Sequence, residues 1–278
     1  MDRSKLVIEA DELLSKISDE NLRLFDTTIL FFGSTSGLTA REMYVQAHIP
    51  GAAFLDHQKL TDSESDYMLM VAPEVQLLEQ IGALGISEDS QVVLYAPGVL
   101  PAATRAWWIL HYAGHPNVRI LNGGLEAWKK AGGELEQGDN QYAPASYNGV
   151  FNPRLFASKE EVLDAMEDPR VGIENALLKE SYTAAHITGS YCLPCTDLMH
   201  EMNAFVDQHE LVEKLKTESR FKRIITYCGG GIAATVNAVA HLLIGKEDVA
   251  VYDGSLYEWV SEDLPMTETG DGNWAIWG

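Results

Sequence analysis

Short apolar runs alternate with helix-like segments along this chain. Runs of four mainly apolar residues are typical of buried strands, and apolar residues three and four positions apart are typical of helices buried on one face. Alternation of the two predicts α/β architecture, a mostly parallel sheet with helices on both faces. The strands are predicted at residues 22–25, 92–95, 224–227 and 249–252, and the helices at 73–83 and 233–244.

The same pattern occurs twice, because three blocks of the first half recur in order in the second half. AHIPGA at residues 47–52 matches AHITGS, QVVLYA matches RIITYC, and NGGLEAW matches DGSLYEW. Three collinear matches indicate a duplicated domain. A polar, Pro- and Gly-containing stretch without periodicity separates the copies and is typical of a linker. We therefore predict a first domain at residues 1–137, a linker at 138–154 and a second domain at 155–278.

Composition and charge narrow the function. The chain has 278 residues, of which 46% are hydrophobic, and a net charge of −21. Such a charge repels nucleic acid and anionic membrane surfaces, so neither is expected as a partner. No apolar run reaches the roughly 18 residues of a membrane helix, and the amino terminus lacks the pattern of a targeting signal. With only three cysteines, a cytoplasmic location is expected.

The chemistry is predicted at the sequence YCGGGIAAT, where Cys228 directly follows the strand at 224–227. Open α/β sheets bind ligands beyond the carboxyl ends of their strands. Consecutive glycines let several backbone N–H groups face one anion, and the helix beginning near Ala233 adds its positive end. Cys228 is thus the candidate nucleophile. The candidate anion-binding loop is Gly229, Gly230, Gly231, Ile232 and Ala233.

The first copy of the domain and the known anion-binding loops of other proteins offer two comparisons for Cys228. The alternative of a buried structural cysteine in an ordinary tight turn stays open at this point. The first copy has APGVLPAAT at the matching place, with Ala96 instead of cysteine, so it cannot perform thiol chemistry. A cysteine phosphatase loop needs an arginine six positions after its cysteine, where this chain has Ala234. Phosphatase activity is therefore disfavoured.

These residues resemble the tandem-domain rhodanese family of sulfurtransferases. The resemblance covers nearly the whole chain and rests on HIPGA and HITGS, CGGGIAAT in the second half only, NGGLEAW and DGSLYEW, and LPMTETG at residues 264–270. It implies a degenerate first rhodanese domain and a catalytic second one. It also implies that Cys228 takes sulfur from thiosulfate or 3-mercaptopyruvate and passes it, as a persulfide, to cyanide or a thiol. No metal or organic cofactor is implied.

The chain departs from the family pattern around the implied substrate pocket. Three glycines follow Cys228, which fits neither the cationic thiosulfate pattern nor the Gly-Ser-Gly of mercaptopyruvate enzymes. Tyr67 stands where the latter have histidine, although Asp56 is retained. No arginine occurs between Arg170 and Arg220, where the family has substrate-binding arginines. The backbone amides are left as the main element that recognises an anion.

Other polar and aromatic residues receive mainly structural interpretations. Cys192 and Cys195 form CLPC, which lacks further zinc ligands at the usual spacing. The family pattern places this loop near the pocket, so a protective disulfide between Cys195 and Cys228 is one hypothesis, and packing is favoured over it. Arg105 is expected near the interdomain face, paired with an acid. Structural roles are predicted for His48, His186, Trp107, Trp108, Trp128 and Trp259.

Three functions remain open at the level of sequence. The first is a sulfurtransferase that acts on small donors and acceptors with Cys228 as its sulfur carrier. The second is a non-catalytic persulfide carrier or binding module that serves a partner protein, suggested by the missing arginines. The third is an inactive duplicated scaffold. Repeated turnover would distinguish the enzyme from the carrier, which loads once.

Overall fold

Two five-stranded sheets, one from each half of the chain, organise the molecule. The computed structural model describes residues 3–30 and 37–269. Within these residues, no helix has both the length and the apolar character needed to cross a membrane.

The first sheet is parallel throughout. Its spatial order is β1-β5-β4-β2-β3, so the central strand β4 is flanked on both sides. The strands are β1 (Val7–Ile8), β2 (Leu22–Asp26), β3 (Ala53–Phe54), β4 (Gln91–Tyr95) and β5 (Val118–Leu121). The helices are α1 (Arg3–Leu6), α2 (Ala10–Lys16), α3 (Ala40–Gln46), α4 (Glu74–Ala83), α5 (Leu100–Tyr112) and α6 (Gly124–Lys130), and a 3-10 turn covers His57–Leu60.

The second sheet repeats this arrangement. Its order is β6-β13-β12-β7-β9, again all parallel, and two small antiparallel pairs, β10 with β11 and β14 with β8, are added. The strands are β6 (Phe156–Ala157), β7 (Val171–Asn175), β8 (Ala185–Ile187), β9 (Tyr191–Cys192), β10 (Met199–His200), β11 (Ala204–Phe205), β12 (Arg223–Tyr227), β13 (Val249–Tyr252) and β14 (Met266–Glu268). The helices are α7 (Lys159–Ala165), α8 (Lys179–Ala184), α9 (Gln208–Leu215), α10 (Ala233–Leu243) and α11 (Ser255–Ser261), with 3-10 turns at Pro153–Leu155, Cys195–Leu198 and Thr217–Arg220.

The α/β architecture with helices on both faces of each sheet is confirmed. Along β4, Val93 and Tyr95 join one apolar cluster with residues of α2 and α6, whereas Val92 and Leu94 join the opposite cluster with residues of α5. Because successive side chains of a strand point to opposite faces, both faces of the sheet are covered. All six predicted elements form within one residue of their expected limits. The four tryptophans assigned to packing are buried on helices α5, α6 and α11.

The two domains meet through equivalent helices. α5 and α10 lie against each other, and the hydroxyls of Thr104 and Thr235 are 2.7 Å apart between them. These threonines end the matching loop sequences APGVLPAAT and CGGGIAAT. The loop after β4 and the loop after β12 therefore both open near the domain junction.

The segment predicted as a linker packs along the first domain. The Tyr142 hydroxyl accepts a hydrogen bond from the Leu24 amide at 2.9 Å, and the Tyr147 hydroxyl donates to the Ala113 carbonyl at 2.9 Å. The Asn152 amide donates to the Tyr112 carbonyl. These contacts make residues 138–154 an outer layer of the first domain, and the proposed domain limits remain a prediction.

Candidate functional site

Cys228 lies where strand β12 ends and before helix α10 begins. It is 3% exposed, and its carbonyl accepts a hydrogen bond from the Leu256 amide at 3.1 Å. The Gly229 carbonyl accepts another from the Tyr257 amide at 3.0 Å. Helix α11 thus holds the first two residues of the loop through their carbonyl groups.

Ser255 holds the loop in a second way that the sequence did not reveal. Its hydroxyl accepts hydrogen bonds from the amides of Cys228 and Gly231, both at 3.1 Å, and donates to the Tyr252 carbonyl at 2.8 Å. Ser255 has φ +49°, a left-handed conformation that is uncommon for a residue other than glycine. The equivalent residue of the first domain is Gly124, with φ +50°. The replacement of a glycine by serine within the repeat was the signal that could have identified it.

The remaining amides of the loop are available to a ligand. Among the described residues, none accepts a hydrogen bond from the amides of Gly229, Gly230, Ile232 and Ala233. Clusters of unpaired N–H groups at a helix start bind anions, because the helix dipole adds to their partial charges. The loop can therefore stabilise negative charge on or beside the sulfur of Cys228.

The three glycines of the loop differ in how strictly they are required. A Cβ atom on Gly231 would lie 2.7 Å from both the carbonyl oxygen and Oδ1 of Asp253, and the residue has φ +75°. A Cβ atom on Gly230 would be 3.2 Å from the ring of Tyr257, whereas one on Gly229 would meet nothing closer than 3.9 Å. Of the three, only Gly231 has both too little space for a side chain and a backbone conformation that favours glycine.

A buried ion pair joins the two domains beneath the loop. The Arg105 guanidinium lies 2.5 Å from Asp253 and also donates to the carbonyls of Leu69, at 2.7 Å, and Gly231, at 3.3 Å. The other carboxylate oxygen of Asp253 accepts from the Val71 amide at 2.6 Å. The predicted pairing of Arg105 with an acid at the interdomain face is confirmed. The ion pair fixes the segment at 69–71 of the first domain against the cysteine loop.

A cavity of about 450 Å³ lies over this loop between the domains. Cys228, Gly229, Gly230, Ile232 and Ala233 line it from the second domain. Residues 61–63, 65 and 67–69 line it from the first. The sequence-predicted pocket residues Cys195 and Tyr67 are both in its lining. The Tyr67 hydroxyl donates to Glu262 at 3.0 Å. Asp56 is absent from the described lining, and its carboxylate instead accepts from the Gln58 amide at the start of a 3-10 turn.

The other two cysteines are unreactive in this setting. Burial raises the pKa of Cys195 to about 12, with the nearby Cys228 adding to the effect, and burial raises the pKa of Cys192 to about 11. Both therefore stay protonated near neutral pH, and the thiol form is a poor nucleophile. All three cysteines are free thiols. Within residues 3–30 and 37–269, no three His, Cys, Asp or Glu side chains are grouped so that they could hold a metal ion.

Strand β7, which lies in the stretch without arginine between Arg170 and Arg220, carries a buried structural network. Glu174 is fully buried and accepts hydrogen bonds from Asn237 at 2.8 Å and from the Tyr191 hydroxyl at 3.0 Å. His241 lies 3.0 Å from the same carboxylate. Asn237 also donates to the Leu193 carbonyl, so the network supports the segment that carries Cys195.

The histidines of the two repeated motifs have matching structural roles, as predicted. Nδ1 of His48 is 2.8 Å from the Tyr44 carbonyl, and Nδ1 of His186 is 2.7 Å from the Tyr182 carbonyl. Each ring also stacks on the tyrosine to which it bonds. Neither histidine is in the described lining of the cavity.

Fold and site together define a duplicated α/β protein with one cysteine-bearing anion loop at the domain junction. Comparison with known proteins agrees with this class. The family described as Rhodanese-like domain matches residues 9–131 and 158–262, and the chain belongs to this family. It is an enzyme, a sulfurtransferase.

Relatives named for thiosulfate and for 3-mercaptopyruvate are similar to most of the chain. Thiosulfate sulfurtransferase of Bos taurus is 32% identical over 249 residues, which cover 84% of each chain. The 3-mercaptopyruvate sulfurtransferase of Escherichia coli (strain K12) is 30% identical, covering 93% of this chain and 96% of the relative. The crystal structure of SseA from Escherichia coli, a 3-mercaptopyruvate sulfotransferase, superposes with a TM-score of 0.83 at 28% identity, covering 90% of this chain and 98% of SseA.

Proposed function

We propose that Cys228 carries sulfur as a persulfide between a small donor, thiosulfate or 3-mercaptopyruvate, and cyanide or a thiol acceptor. The observation that carries this proposal is the set of backbone amides around Cys228, at Gly229, Gly230, Ile232 and Ala233, that donate no hydrogen bond to any described residue. Relatives named for these two donors support it. The first-domain loop has Ala96 at the matching position, which supports thiol chemistry in the second domain alone.

The reaction proceeds in two balanced displacements. The Cys228 thiolate attacks the outer sulfur of thiosulfate, the sulfur–sulfur bond of the donor breaks, and sulfite leaves with the electron pair. With 3-mercaptopyruvate the carbon–sulfur bond breaks, and the carbon gains a proton to give pyruvate. The new persulfide bears negative charge on its outer sulfur, which the loop amides stabilise. The acceptor then attacks that sulfur and releases the Cys228 thiolate.

The compartment proposed for this chemistry is the cytoplasm. Cys192, Cys195 and Cys228 are all free thiols. A reducing compartment keeps cysteines in that state.

The intact mass of the protein before and after treatment with each donor tests the sulfur-loading step. A gain of about 32 Da, one sulfur atom, is expected in the wild type, because a reactive thiolate acquires a single sulfane sulfur. Cys228→Ser should abolish the gain. Cys192→Ser is the matched control, since it removes a half-buried thiol outside the cavity and should load normally.

The second candidate function is a carrier that loads once and discharges only to a partner protein. It is favoured by one observation, the absence of lysine and arginine from the described lining of the cavity. Repeated release of thiocyanate with excess thiosulfate and cyanide supports the enzyme, whereas a single equivalent supports the carrier. No mass gain with either donor contradicts the proposed reaction.

A further inference from the structure

We propose that the sulfur acceptor of this enzyme is an organic thiol with an apolar body and no negative charge, either neutral or cationic. The inference rests on the proposed function, because it concerns the second displacement at Cys228. It follows from which side chains form the walls of the cavity and which charges they carry.

The walls of the cavity are mainly apolar. Six aliphatic and thioether side chains surround the opening above the loop, and they come from both domains. They are Ile29, Leu30, Met68, Leu69, Leu177 and Met202. Pockets of this kind gain affinity by covering the apolar part of a ligand, and a few polar groups set its orientation. The loop amides already supply those polar groups at the sulfur.

The charge in the described lining is negative. Asp62 is the one ionisable Asp, Glu, Lys, Arg or His side chain among the described lining residues. Its Oδ1 accepts the Glu64 amide at 2.9 Å, so the carboxylate is held in place by the local turn. The segments 31–36 and 270–278 contain no lysine or arginine in their sequence. A carboxylate on the acceptor would therefore meet an opposing charge and no compensating cation from these residues.

Two cations near the cavity are already paired. Arg105 is occupied by Asp253 and by two backbone carbonyls. Lys159 contacts Glu262 at 2.5 Å and Glu258 at 3.7 Å. Neither side chain is in the described lining. Their fields are largely cancelled by the acids beside them, so they offer an anionic acceptor little attraction.

Two aromatic rings add a preference for positive charge. Tyr67 and Tyr257 both line the cavity, and the Tyr257 ring lies against the backbone of Gly230. The faces of aromatic rings attract cations. Together with Asp62 and the overall charge of −21, they favour an ammonium-bearing thiol over a carboxylate-bearing one.

The step that depends on this preference is sulfur release. The acceptor thiolate attacks the outer sulfur of the Cys228 persulfide, a new sulfur–sulfur bond forms on the acceptor, and the Cys228 thiolate leaves. The persulfide is itself negative, so a second negative group on the acceptor adds repulsion at the moment of attack. A neutral or positive group avoids that cost.

Discharge of the preloaded persulfide by three thiols of similar size tests the inference. The protein is loaded with thiosulfate, freed of excess donor, and mixed with 2-aminoethanethiol, 2-mercaptoethanol or mercaptoacetate. Loss of the added sulfur is followed by intact mass, and each rate is divided by the thiolate fraction of that thiol. We expect mercaptoacetate to react at least about tenfold more slowly than 2-aminoethanethiol, because the two differ by two charges. The difference should shrink as salt is added.

A charge-removing variant isolates the contribution of Asp62. Asp62→Asn keeps the Oδ1 acceptor of the turn and should narrow the preference for 2-aminoethanethiol over mercaptoacetate by about threefold. Glu20→Gln is the matched control and should leave the preference unchanged. This exposed acid lies just before the start of β2, whereas the cavity residues Ile29 and Leu30 follow the end of β2. Equal or faster discharge by mercaptoacetate overturns the inference alone. Failure of the wild type to load removes the proposed function, and this inference with it.

Discussion

Ser255 is the residue whose replacement tests most directly how the cysteine loop is held. Its hydroxyl is the acceptor for two buried amides, those of Cys228 and Gly231. Ser255→Ala leaves both N–H groups without that acceptor, and each buried unpaired group costs about 1–3 kcal/mol. We therefore expect the free energy of unfolding to fall by about 2–6 kcal/mol, measured by urea denaturation.

Ser255→Gly separates the hydrogen bonds from the backbone strain. Glycine adopts the left-handed conformation of this position at no steric cost, as Gly124 does in the first domain. The glycine variant should be more stable than the alanine variant by about 1 kcal/mol, because it relieves that strain. Both variants lose the same three hydrogen bonds, the two accepted from the loop amides and the one donated to the Tyr252 carbonyl. Both should therefore load sulfur at least about tenfold more slowly than the wild type, since the amides around Cys228 are no longer fixed.

Loading is measured by intact mass over time, at a temperature where every variant is fully folded. Ser261→Ala is the control, because the Ser261 hydroxyl donates a single exposed hydrogen bond, to the Glu258 carbonyl, on the same helix α11. It should change neither stability nor loading appreciably. Wild-type loading rates in both Ser255 variants would refute the idea that this hydroxyl organises the loop.

Three further predictions concern the loop glycines, the buried ion pair and His57. Gly231→Ala should abolish sulfur loading in the mass assay, because its Cβ atom would overlap Asp253. Gly229→Ala should load within about threefold of the wild-type rate, because its Cβ atom would meet nothing closer than 3.9 Å. Arg105→Met should lower the free energy of unfolding by about 3–5 kcal/mol, since it leaves a buried carboxylate unpaired; a loss below 1 kcal/mol in urea denaturation contradicts this. Burial, aided by the charge of Arg105, lowers the pKa of His57 to about 4. The unfolded chain thus binds a proton more readily between pH 6.5 and 4, and stability should fall over that range by up to about 3 kcal/mol more in wild type than in His57→Gln. Parallel stability curves for the two proteins would contradict the assignment.

The sequence predicted the fold and the centre of the site because their signals are local. The strand at 224–227 and the helix that follows frame Cys228 with a glycine run, and each of these features is visible in one short stretch. The repeat extended the fold prediction to the whole chain, because the elements predicted in one domain are expected at the matching positions of the other. Arg105 was found because the family pattern marks its position.

Residues that act through distant contacts were missed for a physical reason. Ser255 and Asp253 lie more than twenty residues beyond Cys228, in the next turn after a strand, and reach the loop only when β12 and β13 pair side by side. Tyr67 and Glu262, which pair across the two domains, are separated by an even longer stretch of sequence. Composition could not show that the cavity is walled mainly by apolar residues, because those residues come from four separated stretches of chain.

Each domain contributes a segment that covers the loop of the other domain, and the two segments cover their loops to different extents. The second-domain segment around Met202 and Asn203 covers the first-domain loop after β4. The Leu100 amide donates to the Met202 carbonyl at 2.7 Å. The Asn203 side chain lies 3.1 Å from where a Cβ atom on Gly124 would be. The equivalent segment of the first domain, which carries Met68 and Leu69, crosses the loop of the second domain but leaves a cavity above Cys228. The domain without the cysteine therefore forms one wall of the pocket, and its side chains help to determine which molecules reach the sulfur.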